Sequence, residues 1–356
     1  MGLPNINIAF KTQAITSITR SQKGVVAIIL KDAATAAQGA HVLTNTTQIP
    51  AELGAVNQAY IAQAFIGYVN PPRKVIVYVL SDTATDLSEA LSYLATQTFD
   101  YLVGPPDCSA ADATEIATWI ATQRANDFTP KAVLPNKAAD NEAIINFTTE
   151  GIKVGDATYT AAGYCARIAG LIAGTPMTIS CTYAPLPEVT DVNRLTKAEM
   201  DAAIDAGKFI IFHDGEKVKV GRAVNSLQTT TQEKGEIFKK IKIVEAVDMI
   251  KNDIKITAQD NYIGKYANSY DNKCLLITAI KGYFTQLEQE GILQAGSSSV
   301  DIDLAAQEAY LQSIGIDTST MTEKEIREAN TGDKVFLTAS IKILDAIEDI
   351  DLAIVI

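Results

Sequence analysis

Residues 75–80 read VIVYVL, six positions with no polar group other than the Tyr78 hydroxyl. A strand with one wet face alternates polar and apolar side chains, so an unbroken β-branched run predicts a strand covered on both sides. Residues 24–30, GVVAIIL, have the same character. Beyond residue 80 the period changes. Leu87, Leu91 and Leu94 fall at helical spacing, and residues 99–103 resume as a strand. Ser109 stands three residues before Asp112 as an N-terminal cap, opening a helix with Ile116, Trp119 and Ile120 on one side. Residues 131–134 close the series. The β-α-β-α-β order over 75–134 predicts a parallel α/β sheet.

Downstream, residues 144–159 read as irregular and β structure with a turn at Gly155–Asp156. A small-residue helix over 160–173 comes next and stops at Gly174–Thr175–Pro176, since proline cannot continue it. Residues 208–212 and 217–224 flank His213–Asp214–Gly215–Glu216, whose Asp-Gly pair signals a hairpin. Residues 235–254 predict a long helix with Ile243, Val247, Ile250 and Ile254 on one side. Lys239, Lys240, Lys242, Lys251 and Lys255 occupy the other. Leu276, Ile280, Tyr283 and Leu287 mark a second helix, ending at Gly291. After a Gly296–Ser297–Ser298–Ser299 joint come short helices over 304–314 and 322–330, then a turn at 330–333.

Both ends of the chain are extended and apolar. Ile350, Leu352, Ile354 and Ile356 alternate with Asp349, Asp351, Ala353 and Val355, and Ile6, Ile8 and Phe10 alternate near the start. Chain ends are usually polar and frayed unless something ties them down. Large aliphatics left in water forgo about 1.5–3 kcal/mol each, and an unpaired apolar strand is an aggregation template. These ends therefore pair either with each other inside one molecule or with a neighbour's sheet by strand exchange. The carboxylates Glu348, Asp349 and Asp351 are expected to face solvent or a partner.

The 356 residues suffice for two domains, or for one large α/β unit with an insertion. With 47% hydrophobic and 20% charged residues there is material for a full core. A formal net charge of −12 argues against sequence-independent nucleic-acid binding and against docking on anionic lipid. Neither a secretory signal nor a bilayer-length apolar run is present, and Ile6 breaks the Gly2 myristoylation pattern, so a soluble chain made in the cytoplasm is expected. The four cysteines, Cys108, Cys165, Cys181 and Cys274, form no C-x-x-C pair and have only His41 and His213 for company. They are expected as buried free thiols rather than metal ligands.

Catalytic patterns are missing. There is no G-x-G-x-x-G, no Walker loop and no G-x-S-x-G elbow. Gly104–Pro105–Pro106–Asp107 lies where α/β enzymes bind ligands, but two prolines remove the N–H donors that a phosphate needs. His213 beside Asp214 has the composition of a dyad, yet a tight turn accounts for both. No catalytic, metal or cofactor-binding residue is assigned. These blanks count against the alternative reading of an α/β small-ligand enzyme with its site on the 75–134 sheet.

Residues 160–356, and less tightly the first thirty, resemble the sheath protein of contractile phage tails. The likeness is to the short sheaths of Gram-positive myophages and phage-tail-like bacteriocins. It is carried by Ala169–Gly170–Leu171–Ile172–Ala173–Gly174–Thr175–Pro176 with Ser180–Cys181–Thr182–Tyr183, and by Gly221–Arg222–Ala223–Val224–Asn225–Ser226–Leu227 with Thr229–Thr230. Val244–Glu245–Ala246–Val247–Asp248–Met249–Ile250, Tyr262–Ile263–Gly264–Lys265–Tyr266–Ala267–Asn268, and Gly332–Asp333–Lys334–Val335–Phe336 running to Glu348–Asp349–Ile350–Asp351–Leu352 complete it.

The resemblance implies an α/β, mixed-sheet sheath fold, with an N-terminal α/β domain, an α+β C-terminal domain and extended strand arms at both ends. Its expected limits are an N-terminal arm at 1–20, an outer domain at 21–185, an inner domain at 186–333 and a donor-strand arm at 334–356. It implies a non-enzymatic subunit without cofactors that stacks in hexameric rings around a tail tube protein, meets baseplate and tail terminator proteins, and contracts. Ile6, Ile8 and Phe10 would serve the N-terminal arm, and Ile341, Ile343, Ile350, Leu352 and Ile354 the C-terminal one. Lys239, Lys240 and Lys242 are candidates to face the tube, as are the helices at 304–314 and 322–330. Assembly in the bacterial cytoplasm, and release by lysis within a phage tail or bacteriocin-like particle, are implied by the same likeness.

Overall fold

The computed structural model describes residue 18 and residues 23–355. Ile6, Ile8 and Phe10 of the expected N-terminal arm lie outside the described residues. The described residues form two compact units, one of residues 23–248 with 345–355, the other built on residues 249–344.

The first unit is built on a seven-stranded sheet. In chain order its elements are β1 (Val25–Asp32), β2 (Gly39–Leu43), α1 (Ala55–Ala64), β3 (Lys74–Ser81), α2 (Ser88–Leu94), β4 (Tyr101–Val103), α3 (Ala110–Ala125), β5 (Lys131–Pro135) and β6 (Ile144–Phe147). Next come β7 (Ile152–Val154), β8 (Ala157–Tyr159), α4 (Ala161–Ala173), α5 (Lys197–Asp205), β9 (Lys208–Phe209), β10 (Ile211–His213), β11 (Val218–Val220) and the start of α6 (Ile241–Asn261). The sheet order is β2-β3-β1-β4-β5-β6-β9, parallel throughout except for the antiparallel edge strand β2. The sheet is therefore mixed, where the run over 75–134 by itself predicts a parallel one. Alternate residues of β1 serve opposite layers, as expected for a strand covered on both faces. Val26, Ile28 and Leu30 pack with α1 and α4, and Val25, Ala27 and Ile29 pack with α2 and α3.

Local signals explain where these elements begin. Ser109 and Asp112 form a reciprocal capping box at the start of α3, which satisfies two backbone donors that the helix leaves open. Ile116 and Ile120 are buried, and Trp119 stacks on Phe99 with ring centroids 6.3 Å apart. Thr160 caps α4, which ends at Gly174. The Asp-Gly hairpin forms between β10 and β11, but Lys208 and Phe209 separate from it as β9 and extend the main sheet.

The second unit is α+β. It contains the remainder of α6, α7 (Tyr270–Gln289), β12 (Ser299–Ile302), α8 (Leu304–Ser313), α9 (Glu323–Glu328) and β13 (Leu337–Ser340). Tyr283, Phe284 and Leu287 of α7 are buried, together with Ile292, Leu293, Val300, Ile302 and Leu311. The buried Tyr283 hydroxyl donates to Asp253 at 2.6 Å. Lys273 is also buried, and its ammonium donates to the Gln307 side chain and the Thr331 hydroxyl. β12 and β13 pair antiparallel, from Ser299 with Ser340 to Ile302 with Leu337.

Three expectations change. The first compact unit runs past the 185/186 limit to Asp248, because β9 and the first turns of α6 pack with it. The segment 334–356 is not one free arm, since residues 337–340 already belong to a strand pair of their own chain. The helix expected over 235–254 begins at Ile241, preceded by a separate 3-10 turn at Glu236–Lys239.

Candidate functional site: the root of the C-terminal arm

The chain leaves β13 extended and forms no further strand among the described residues. Ile341 and Ile343 are half-buried in their own unit, where Ile343 bridges to Leu293 and the Leu344 amide donates to the Ile292 carbonyl. From Ile350 to Val355 every described residue is exposed. Ile350 is 80% exposed, Leu352 78%, Ile354 75% and Val355 96%. The alternating apolar row read from the sequence is thus present and unpartnered in the single subunit.

Between these stretches the backbone is held by charge. Glu348 is turned inward with only 6% of its side chain exposed. Its Oε1 accepts from the Thr182 hydroxyl at 2.6 Å and from the Ser180 hydroxyl at 3.2 Å. Its Oε2 lies 3.2 Å from Arg222 Nε. The same guanidinium donates through Nη2 to Asp349 at 2.6 Å, and Lys240 pairs with Asp345. Arg222 holds the Asp349 carboxyl below the usual carboxylate range, chiefly by that hydrogen bond. Glu348 therefore does not face solvent or a partner, contrary to the expectation for the terminal carboxylates. Two hydroxyls bond its Oε1 inside its own unit, and its Oε2 is ion-paired with the Arg222 guanidinium but accepts no hydrogen bond.

Neighbouring contacts set the seat. The Ser180 hydroxyl accepts from the Thr182 amide and donates to its hydroxyl, and the Thr182 hydroxyl accepts from the Ala223 amide. Tyr183 next to it has φ of 57°, a strained backbone for a residue with a bulky side chain, and remains 61% exposed. Asn225 is fully buried, donating to the Phe238 carbonyl and accepting from the Leu227 amide. Two segments that carry the family resemblance, around Thr182 and around Arg222, thus meet a third at Glu348. All of these residues lie inside segments the sequence marks, but nothing in their spacing gives them a shared role.

The other candidates fall elsewhere. Lys239 pairs with Glu236 at 2.9 Å, and Lys240 lies in extended chain bridging to Val224. Lys242 is buried and donates to the Thr178 carbonyl, and burial pulls its ammonium below the usual lysine value. The three do not form one solvated face. Asp214 is held well below the carboxylate range by Lys219 and by the amides of Lys217 and Glu216, and His213 accepts from the Gly215 amide. The pair serves its turn. Pro105 and Cys108 close a backbone turn, and the Tyr60 hydroxyl donates to the Gly104 carbonyl. All four cysteines are free, and burial pushes the Cys108 and Cys181 thiols up to about 12. Among the described residues no group of His, Cys, Asp or Glu could hold a metal ion, and no helix is long and apolar enough to cross a membrane.

The arrangement defines a mixed α/β subunit that seats part of its own terminal segment by charge. Two family models match it: the phage tail sheath protein central domain over residues 81–226 and the phage tail sheath C-terminal domain over residues 233–356. The tail sheath protein of Clostridium phage phiCD119 is 43% identical over 359 aligned residues, covering 99% of each chain. The chain belongs to the phage tail sheath family, whose members are structural proteins of tails and not enzymes. The fold is shared with the contracted helical sheath of the anti-feeding prophage, at a TM-score of 0.75 and 17% identity over 100% of this chain and 99% of that one. It is shared too with the sheath tail protein of Desulfitobacterium hafniense, at a TM-score of 0.69 and 18% identity over 84% and 94%.

Proposed function

We propose that this sheath subunit polymerises around a tail tube by donating its terminal strands to neighbouring subunits, and that the lattice contracts from an extended, metastable state to a shorter one of lower free energy. One observation carries the proposal: residues 350–355 belong to no element of their own subunit, carry large aliphatics at Ile350, Leu352 and Ile354, and are exposed along their whole length. Burying Ile350, Leu352 and Ile354 in a partner would recover about 1.5–3 kcal/mol each. An acceptor of the right kind exists in the same fold. The β12–β13 pair is a two-stranded sheet, marginal by itself, and strands added at its edges would complete it.

In this reading Ile6, Ile8 and Phe10 form the second donated strand, and the partners are other copies in hexameric rings, the tube protein, the baseplate and the terminator. Contraction needs two packings of one fold with a barrier between them, and a small bias per subunit adds up along the lattice. The helices α8 and α9 are better tube-facing candidates than Lys239, Lys240 and Lys242, which are engaged within their own unit. Assembly takes place in the bacterial cytoplasm, with release by lysis.

Negative-stain electron microscopy of the purified full-length chain at micromolar concentration tests this. Hollow, regularly striated tubes are expected. Uniform small particles, confirmed by sedimentation, would refute polymerisation.

A further inference from the structure

Strand donation as proposed leaves open how much of the chain moves. We propose that Arg222, with Ser180, Thr182 and Lys240, holds residues 345–349 on the subunit that owns them, so that donation begins at Ile350. This rests on the reading of the chain as a strand-donating sheath subunit and adds to it a fixed pivot. The pivot rests on one buried side chain, since the Asp349 side chain next to it is 85% exposed. Ile347 is 88% exposed and Ile350 80%, yet the side chain of Glu348 between them is 6% exposed. A solvated, mobile tail has no reason to bury one carboxylate.

The seat also matches its occupant in charge and geometry. Arg222, Lys240 and Lys242 bring three positive charges, and Asp345, Glu348 and Asp349 bring three negative ones. The carboxylates at 345 and 348 lie close enough to Lys242 to oppose part of the effect of its burial. Arg222 is the central member, because its Nε and Nη2 engage two successive carboxylates of an extended chain. Arginine's planar fork suits that task and lysine's point charge does not. Lys240 adds a second attachment three residues earlier, at Asp345.

The consequence is reach. The seven residues from 350 to 356 span about 23 Å when extended. If the arm swung from residue 341, sixteen residues would span about 53 Å and could reach many wrong edges. A short tether raises the effective concentration at the one edge it can meet. Arg222 is thus a positioning residue for donation, not part of the donated strand.

The test has two readouts. In the free subunit, kept below its assembly concentration, carboxypeptidase digestion followed by intact mass should halt at or before Asp349 in the wild type. With Arg222→Ala it should continue past Asp345. In assembly, Arg222→Ala should raise the critical concentration for tubes about tenfold with the melting temperature within a few degrees of wild type, and Arg222→Lys should fall between the two. If Arg222→Ala does not fold, Glu348→Gln keeps the side-chain shape and should show the same pair of changes. Identical trimming in wild type and variant, or an unchanged critical concentration, would overturn the pivot. A wild-type chain that is trimmed as described but never forms tubes would refute the sheath-assembly reading and leave the clamp standing.

Discussion

A methyl group added to Gly170 would lie 2.0 Å from the Ala64 carbonyl oxygen, and one added to Gly174 would lie 2.0 Å from that of Asn70. The two glycines stand one turn apart on α4 and at its end, so they let the helix meet the 64–70 segment backbone to backbone. Arg167, one turn earlier and 2% exposed, donates to the Gly67 carbonyl at 2.7 Å and to Glu188 at 2.6 Å. The Asn70 amide donates to the Gly174 carbonyl. Since both obstructing atoms are backbone, no side chain can turn aside. Gly170→Ala should therefore destabilise the fold by about 1–3 kcal/mol or more, read as a lower urea midpoint. An unchanged midpoint would mean that α4 can slide on α1 without loss. The sequence marks this stretch through its resemblance to sheaths, but not the cause. Ala64 is over a hundred positions away, and only the fold brings it to Gly170.

At the scale of elements, charge fixes the first turns of α6 to the sheet. Asp248 accepts from Arg124 of α3 at 2.9 and 3.1 Å and from Lys131 of β5 at 3.2 Å. Glu245 pairs with Lys23 at 2.6 Å and accepts from the buried Tyr101 hydroxyl. Asp248→Ala would leave Lys131 buried without a carboxylate and Arg124 with Glu142 alone, a loss of about 3–5 kcal/mol measurable by chemical denaturation. A variant within about 1 kcal/mol of wild type would show that water reaches Arg124 and Lys131. Acid should weaken the same unit. Burial alone would raise Glu142 and Glu188, but Lys234 and Arg124 beside the first, and Arg167 and Tyr164 beside the second, outweigh it and hold both below the usual range. A carboxylate depressed in the folded state adds stability above its unfolded pKa and loses it as pH falls through the folded one. Urea midpoints should hold between about pH 7 and 5 and fall below about pH 4.5, less steeply in Glu188→Gln. An equally steep fall in that variant would remove Glu188 from the effect. Elements themselves were legible where the local signal was strong. The all-apolar runs and the Ser109 box located β1, β3, β4, β5 and α3. α1 begins at a glycine without a side-chain cap, and β2 is a short edge strand containing Gly39 and His41, so neither stands out. α5 could have been found, because Thr196 and Glu199 form a reciprocal capping box. The seat of Glu348 could not. Its partners at Ser180, Thr182 and Arg222 come from segments far apart in the chain, and alternation, which puts Glu348 on the face of Ile350, Leu352 and Ile354, does not say what that face meets.

At the scale of the whole molecule, the chain carries more apolar surface at its end than a monomer has use for. Ile347, Ile350, Leu352, Ile354 and Val355 are each at least 75% exposed. An exposed apolar strand is normally selected against, since it pairs with whatever edge it meets. Here that hazard is bounded, because the clamp at 345–349 leaves only the last residues free. A period-2 pattern makes a strand sensitive to single changes on one face. Leu352→Lys places an ammonium in the middle of the row formed by Ile350, Leu352 and Ile354. If that row is buried at a subunit contact, the charge must be desolvated without a partner, and tube assembly at micromolar concentration should be abolished. The subunit itself should be unaffected, because Leu352 is 78% exposed in it, so melting temperature and solubility should match wild type. Asp351→Lys, one position along and on the opposite face, is the control and should assemble. Deleting residues 346–356 should likewise leave a folded, soluble chain unable to polymerise. Normal tubes from Leu352→Lys would show that the row lies on the outside of the lattice, and normal tubes from the deletion would end the case for donation by this arm.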